Sequence, residues 1–597
     1  MKTNNKKDQT SIRKEVSLEV VPIVKGLAMG PAFHFRKMSF DIADFDYPIE
    51  TIDGEIERFR MACKQTAELL KRNKELSSAI YNDQFIDIFE SQVALVEDEI
   101  FLKEIEIRIR EKKCSAASAV FTVFRGKMDY FMGLENEYFR ERALDIQDLK
   151  NKILHAIFGV GTEYQISIPS VIFAEYLSPS DTVHFNRNII LGLVTDTGGK
   201  TSHAAIIARS LHLPYVINNR NLSKVIQTDD FVIIDAYSGR MVINPTPKTI
   251  ESYKKLKKKY SGIELKLKKE STLPATTQDG IHVEVLANVE FLHEISDLKS
   301  YGANGIGLYR TEGIFLEKDG LPDEEEQYQI YRRFSEEMKG LPIVLRTLDA
   351  GGDKILKNLE QPKEQNPFLG WRAIRFCIDE REIFKTQLRA IFRANINRNI
   401  KILIPMVSCL REIRETKQII EEVKKELKQQ NKRFYPDTDL GIMIEIPAAA
   451  LMSDVFAKEV DFMSFGTNDL TQYTLAVDRT NQKIARLFND LHPAVLRLMR
   501  TTIRNARDLN KDISICGEMA GNPEAIPILL GLGLRKLSIS PNMIPRIKKI
   551  IRSFSIKECE NLVQEILDLS SEIEITNKAQ KFFHQKISND DLLIKRR

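Results

Sequence analysis

LGIMIEIPAAALMSDVFAKEVDFMSFGTNDL, Leu440–Leu470, decides the fold. LGIMIEIP and DFMSFGTND are short runs rich in apolar and β-branched or aromatic residues, each closed by Pro, Gly or Asn, and a stretch with helical character separates them. That order reads as strand, helix, strand. It repeats in both directions: VEVLANV, GIGLYR, PIVLRTLD and IKILIPMV precede this stretch, and ISICGEMA and KLSIS follow it. Strands alternating with helices predict parallel βα units, and about eight of them predict a closed (β/α)8 barrel.

The active site of such a barrel sits where the C-terminal ends of the strands emerge. Arg310 ends GIGLYR, and Arg346, Asp349 and Lys354 lie in LRTLDAGGDK. Glu445 ends GIMIEIP, Asn468 and Asp469 end SFGTND, and Cys516 with Glu518 ends ISICGEMA. Arg372 in PFLGWRAIR and Arg479 in AVDRT follow strands by a short loop or turn. One such charge fits a structural ion pair; several from separate strands fit a shared site for an acidic ligand. Glu445 and Asp469 make a hard oxygen pair suited to Mg²⁺, which fills its shell with phosphate oxygens and water. Arg310, Arg346, Arg372 and Arg479 suit fork-like recognition of phosphate and carboxylate. The expected ligand is a small anion carrying both groups. Cys516 reads either as an inert buried thiol or as a proton donor or acceptor. The GGDK at 351–354 lacks the GK[ST] of a Walker A loop.

Upstream of the barrel, residues 248–272 are Lys-rich and weakly apolar, which predicts a solvated helix or linker. Before that lie two textures. Residues 16–45 and 160–247 are rich in Val, Ile and Gly and predict one α/β domain; residues 46–159 carry helical spacing with little Gly or Pro and predict an inserted helical subdomain. Residues 1–15 are polar and predict a flexible tail, and residues 273–597 form the barrel region.

Within the α/β domain, VTDTGGKTSHAAIIARS runs from a strand through Gly198 and Gly199 to His203 and an apolar helical run. Thr201 or Ser202 is a good N-cap, which puts His203 in the first turn. A phosphoryl group on that imidazole would meet free backbone N–H groups and the positive end of the helix dipole, with Arg209 as a further positive charge. A capped structural histidine fits the same pattern.

At roughly 150 residues per domain, 597 residues predict about three to five folding units. The 88 Lys and Arg against 84 Asp and Glu leave +4, without the basic excess of a dedicated nucleic-acid binder. Six cysteines with no CxxC pair argue against a disulfide framework or a zinc cluster. The N-terminus lacks the apolar core of a signal peptide, and no apolar run is long enough to span a bilayer, so a cytoplasmic protein is expected.

GGKTSHAAIIARS, GIGLYRTEGIF, LRTLDAGGDK, NPFLGWRAIR, IEIPAAA, FGTNDLTQYTLAVDR, HPAVLRLM and CGEMAG, in this order, resemble enzyme I of the bacterial phosphoenolpyruvate-dependent sugar phosphotransferase system, from about residue 20 to the C-terminus. The resemblance implies a swivelling phosphohistidine α/β domain with a helical insertion that docks the phosphocarrier protein HPr, followed by a phosphoenolpyruvate-binding barrel. It implies that His203 is the phosphorylated histidine and Thr182 contacts it. It further implies that Arg310, Arg346, Arg372, Asn468 and Arg479 bind phosphoenolpyruvate, Glu445 and Asp469 bind Mg²⁺, and Cys516 donates the proton. A homodimer through the barrel follows from the same resemblance. The chain departs from the family at Ser91-Gln92, where Gly-His is usual, and at Lys200, where Arg is common. Pyruvate phosphate dikinase and phosphoenolpyruvate synthase resemble it in the same motifs, but the 202 residues before His203 are too few for their nucleotide-binding domain beside a helical insertion. A non-catalytic HPr-binding scaffold is the reading from another class.

Overall fold

The computed structural model describes residues 14–35, 45, 49–78, 89, 92–132, 137–159, 166, 168–178, 181, 189–198, 202–211, 213–218, 226–290, 292–316, 321–350, 364–479, 481, 483–588 and 592. The chain divides into two compact units, Met1–Tyr260 with Leu593–Arg597, and Ser261–Leu592. Their boundary falls within one long helix, α6 (Pro247–Glu270), whose Lys-rich surface is mostly exposed.

The first unit holds an eight-stranded mixed sheet of β1 (Val16–Glu19), β2 (Val21–Val24), β3 (Leu27–His34), β4 (Ser170–Ala174), β5 (Ile190–Thr195), β6 (Tyr215–Ile217), β7 (Phe231–Asp235) and β8 (Arg240–Ile243). Its order is β1-β8-β7-β3-β4-β5-β6-β2. Strands β3 to β6 pair in parallel and the others antiparallel. Side-chain alternation divides two cores across it. Ile172 and Leu193 join the cluster that covers α5 (His203–Ser210), while Val171, Phe173 and Val194 pack with Val232 and Ile234. The segment Tyr215–Ile217 was not expected as a strand; at three residues it is too short to show a period.

Between β3 and β4 the chain forms α1 (Ile52–Ser78), α2 (Glu99–Lys112), α3 (Ala116–Met132) and α4 (Glu137–Phe158). Their apolar stripes converge on a core of their own that includes Phe59, Leu70, Ile105, Ile109, Val120, Phe124 and Ile153. Asp98 starts α2 by accepting from the Ile100 N–H at 2.9 Å. Leu95 packs against this core and is partly buried.

In the second unit all eight expected runs become strands: β9 (Glu284–Val289), β10 (Ile306–Arg310), β11 (Ile343–Arg346), β12 (Ile400–Ile404), β13 (Leu440–Ile444), β14 (Phe462–Phe465), β15 (Asp512–Ile515) and β16 (Lys536–Ile539). They pair in parallel and close, β16 onto β9. The α/β class and the (β/α)8 barrel stand as the sequence implied. Leu308, Val344, Leu403, Met443, Phe462 and Cys516 form one buried cluster drawn from six successive strand segments, so the barrel is a packed core and not a pore. Helices such as Pro493–Asp508 cover its outside with a strongly one-sided apolar face. No helix among the described residues is long and apolar enough to cross a membrane.

Candidate active site

Strand closure carries the separated charges to one mouth. Arg310 is the last residue of β10 and stands in register with Arg346, the last residue of β11. Arg346 is buried, and its Nη2 bonds Glu312 and lies 3.3 Å from Asp349. Arg372 meets the same Asp349 through Nε at 3.2 Å and Nη2 at 2.8 and 3.0 Å, and lies 3.8 Å from Asp469. Burial opposes the charge on both arginines, but the neighbouring carboxylates, Glu312 and Asp349 for Arg346 and Asp349 and Asp469 for Arg372, overcome it and hold both firmly protonated.

Glu445 follows β13 and is 1% exposed. Burial first, then the charges of Asp469 and Asp349, push its carboxyl up to about 8, against the pull of Arg346 and of the Met406 N–H. Such a crowded acidic pair is the environment that a hard divalent cation relieves. Glycine at 466 keeps the approach to it open, because a Cβ there would stand 2.8 Å from Glu445 Oε2. Among the described residues no group of three or more His, Cys, Asp or Glu side chains could hold a metal alone. Two carboxylates fit Mg²⁺, whose shell is completed by phosphate and water. Arg346 Nε and Thr467 Oγ1 are buried without a hydrogen-bond partner among the described residues, which leaves the Arg346 N–H able to donate to an anion.

Cys516 follows β15, 3% exposed. Its Sγ lies 3.3 Å from the Phe465 carbonyl and 3.5 Å from Ser464 Oγ. Burial pushes the thiol up, with Ser464, Arg346 and Arg310 pulling it partly back, so it stays a protonated thiol at neutral pH. Asn468, in the first turn of the helix after β14, brackets Glu518: its Oδ1 accepts from the Glu518 N–H at 2.9 Å and its Nδ2 donates to Oε1 at 3.3 Å. Arg479, more exposed, lies 3.8 Å from the same carboxylate. Asn288 on β9 donates to the Cys516 carbonyl at 2.9 Å.

The sequence reading singled out the cations and the metal pair but gave no role to their partners. Asp349 and Glu518 were visible there only as strand-end charges, and Glu312 was missed. The available signal was the sign pattern, an acid two or three residues after an arginine, in RTE and RTLD; Glu518 has no arginine near it in the chain.

In the first unit, Ser202 caps α5 and accepts from the Ala205 N–H at 3.4 Å, so the backbone of His203 opens the helix. Gly198 lies at φ +136, and a Cβ there would stand 2.9 Å from Tyr215 Oη, which explains glycine at that turn. Arg209, in the last turn, is exposed. Thr182 and Lys354 lie outside the described residues. Gln92 is buried at 5% exposure: it faces Asp145 and Asp148 on α4, not a surface.

A barrel mouth that gathers arginines, a carboxylate pair and a protonated thiol suits a small anion that carries phosphate and carboxylate. Residues 264–556 match the family PEP-utilising enzyme, PEP-binding domain; residues 166–239 match its mobile domain and residues 20–142 its N-terminal domain. A protein of Haemophilus influenzae named phosphoenolpyruvate-protein phosphotransferase is 38% identical over 566 residues, covering 94% of this chain and 98% of its own. Proteins of the same name from Buchnera aphidicola subsp. Acyrthosiphon pisum and from a Bacillus species are 39% and 37% identical, covering 93% and 96% of this chain and 98% and 99% of their own. The chain belongs to the phosphoenolpyruvate-protein phosphotransferase family, enzyme I of the sugar phosphotransferase system.

Proposed function

We propose that this enzyme takes the phosphoryl group of phosphoenolpyruvate onto His203 and passes it to a histidine of HPr, releasing pyruvate as the first step of sugar uptake. The observation that carries this reading is the convergence of Arg310, Arg346 and Arg372 with the Glu445 and Asp469 pair and Cys516 at one barrel mouth.

Arg346 and Arg372 hold the substrate's phosphate and carboxylate, with Arg310, Asn468, Arg479 and Lys354 completing the set. Glu445 and Asp469 would hold Mg²⁺, which when bound supplies charge neutralisation at the phosphate. An imidazole nitrogen of His203 attacks phosphorus in line, the bond from phosphorus to the enol oxygen breaks, and the phosphorus–nitrogen bond forms. Positioning and charge neutralisation supply most of the acceleration. The enolate then takes the proton of the Cys516 thiol at carbon, giving pyruvate, and the thiolate recovers a proton from solvent. On the histidine side, the N–H groups of the first turn of α5, Arg209 and Thr182 stabilise the phosphorylated imidazole.

His203 and the barrel belong to different units. Transfer therefore requires the histidine domain to visit the barrel mouth and then the carrier, which docks on the helical insertion. The domain assignments 1–15, 16–45 with 160–247, 46–159, 248–272 and 273–597 are part of this reading, as are a cytoplasmic location and a homodimer through the barrel, on which Leu369, Leu451, Met452 and Leu487 are exposed.

The test is incubation with labelled phosphoenolpyruvate, with and without Mg²⁺ and HPr. Label should appear on the enzyme only with Mg²⁺, move to HPr, and be absent from His203→Ala. A labelled His203→Ala protein sinks the assignment, and a wild-type enzyme that binds HPr without taking label is the scaffold instead.

A further inference from the structure

We propose that Asp148 and Ser178 are positioning residues that lock the helical insertion to the core beneath the His203 helix, and so set the distance over which the phosphoryl group passes to its carrier. The inference rests on the reading that HPr docks on the insertion.

Asp148 lies on α4, inside the insertion, and is 6% exposed. Among the described residues three groups converge on its carboxylate. Lys152, one turn further along α4, and Gln92 donate to Oδ2, the latter at 3.4 Å, and Ser178 Oγ reaches Oδ1 at 2.9 Å. Gln92 also donates to the Asp145 carbonyl at 3.3 Å, so residues 92 to 152 of the insertion are gathered at one point. Ser178 belongs to the α/β domain, four residues beyond the end of β4.

The hydroxyl of Ser178 also lies 2.7 Å from Asp181 Oδ2, yet it carries one proton. Its own N–H also donates to Asp181 at 2.7 Å, so the hydroxyl proton is shared between the two carboxylates and ties Asp148, at 2.9 Å, to the turn that holds Asp181. Asp181 is thereby held in a tight turn with Ser178, and it immediately precedes Thr182 in the chain. On the other side of Ser178, Leu177 is 5% exposed and packs in the same cluster as Ala204, Ala205, Ile207 and Ala208. Those four residues are the buried face of the helix that His203 opens. One continuous path therefore runs from the insertion through a buried ion pair and a hydroxyl to the core under the histidine helix.

A buried carboxylate is an unusual choice for joining two pieces of one domain, where apolar packing would serve for adhesion. A directional bond to a single hydroxyl fixes orientation, which packing alone does not, and transfer between two histidines is sensitive to small misplacements.

The experiment uses the full chain and separates the two half-reactions. Replacing Asp148 would strand Lys152 in the interior, so Ser178→Ala is the informative variant: it deletes both bonds of the hydroxyl, the crossing one to Asp148 and the one to Asp181, and keeps the ion pair and the N–H to Asp181. Self-phosphorylation by labelled phosphoenolpyruvate should stay within about twofold of wild type, since it does not involve the insertion. In rapid-quench transfer to HPr, the rate at saturating HPr should fall about tenfold while the half-saturating HPr concentration stays within about twofold. Ser178→Thr, which keeps the hydroxyl, should restore the rate. An unchanged rate at saturation, a loss seen only as weaker HPr binding, equal losses in both half-reactions, or no rescue by threonine would each overturn the proposal. A wild-type enzyme that takes label but never passes it to HPr overturns the docking reading, and the link with it.

Discussion

Arg372 grips Asp349 from two of its nitrogens at 2.8 to 3.2 Å, with both residues 3% exposed or less. Asp349 also lies 3.3 Å from Arg346, so a single carboxylate spaces two guanidinium groups before any substrate arrives. The cost of assembling like charges at the mouth is thereby met during folding, and under the proposed function the anion would meet donors already aimed.

Arg372→Lys keeps the charge but loses the fork that engages Asp349. KM for phosphoenolpyruvate should rise at least about tenfold, equivalent to ~1.4 kcal/mol, in steady-state assays. Exchange of the phosphoryl group between enzyme and HPr, which needs no barrel, should be unchanged. An unaltered KM would show that charge alone suffices at this position.

Burial keeps Cys516 protonated, the state a proton donor needs. Cys516→Ala should still bind phosphoenolpyruvate, but pyruvate formation, followed by a coupled reduction, should slow by about 10²-fold. Unchanged turnover would remove the thiol from the mechanism.

Gly517 permits the close approach of the loops after β14 and β15, because a Cβ there would stand 1.9 Å from Thr467 Oγ1 and 2.6 Å from its backbone nitrogen. Gly517→Ala should destabilise the barrel by about 1–3 kcal/mol and lower its Tm. Gly521, with nothing within 4 Å of its would-be Cβ, supplies the control: Gly521→Ala should leave Tm nearly in place.

Lys548, on the helix Ile544–Arg552, is buried and donates to the carbonyls of Ser271, just past the end of α6, at 2.6 Å and of Gly302 at 2.8 Å. Burial, with Arg552 nearby, lowers its pKa from 10.5 to about 8. Between those values the unfolded chain binds more protons than the folded one, so this lysine makes stability rise with pH through that window and imposes its full penalty below it. Lys548→Met removes the titration. The denaturation midpoint of wild type should gain relative to the variant between pH 7.5 and 9.5, and a constant difference between the two would contradict the assignment.

Much of the barrel was legible along the chain because each strand is a short apolar run, several of them closed by a charge, and chain order is the order of the barrel. The capped turn before His203 was legible for a similar reason: Ser202 and the helix it starts are local. Gln92 was not. Along the chain it stood only as a departure from the family's Gly-His pair, and only the packing of α4 over it shows that it points inward to Asp148.

By itself the sequence determined the strand and helix sequence, the cation, carboxylate and thiol types at the strand ends, and the family, since these are carried by local pattern and motif order. The tertiary structure decided which charges face one another. Glu312 meets Arg346 across 34 residues, Asp349 meets Arg372 across 23, and Ser178 meets Asp148 across 30. Such pairings depend on strand register and helix packing, and the burial that makes them strong appears only when the barrel and the helical insertion have closed around them.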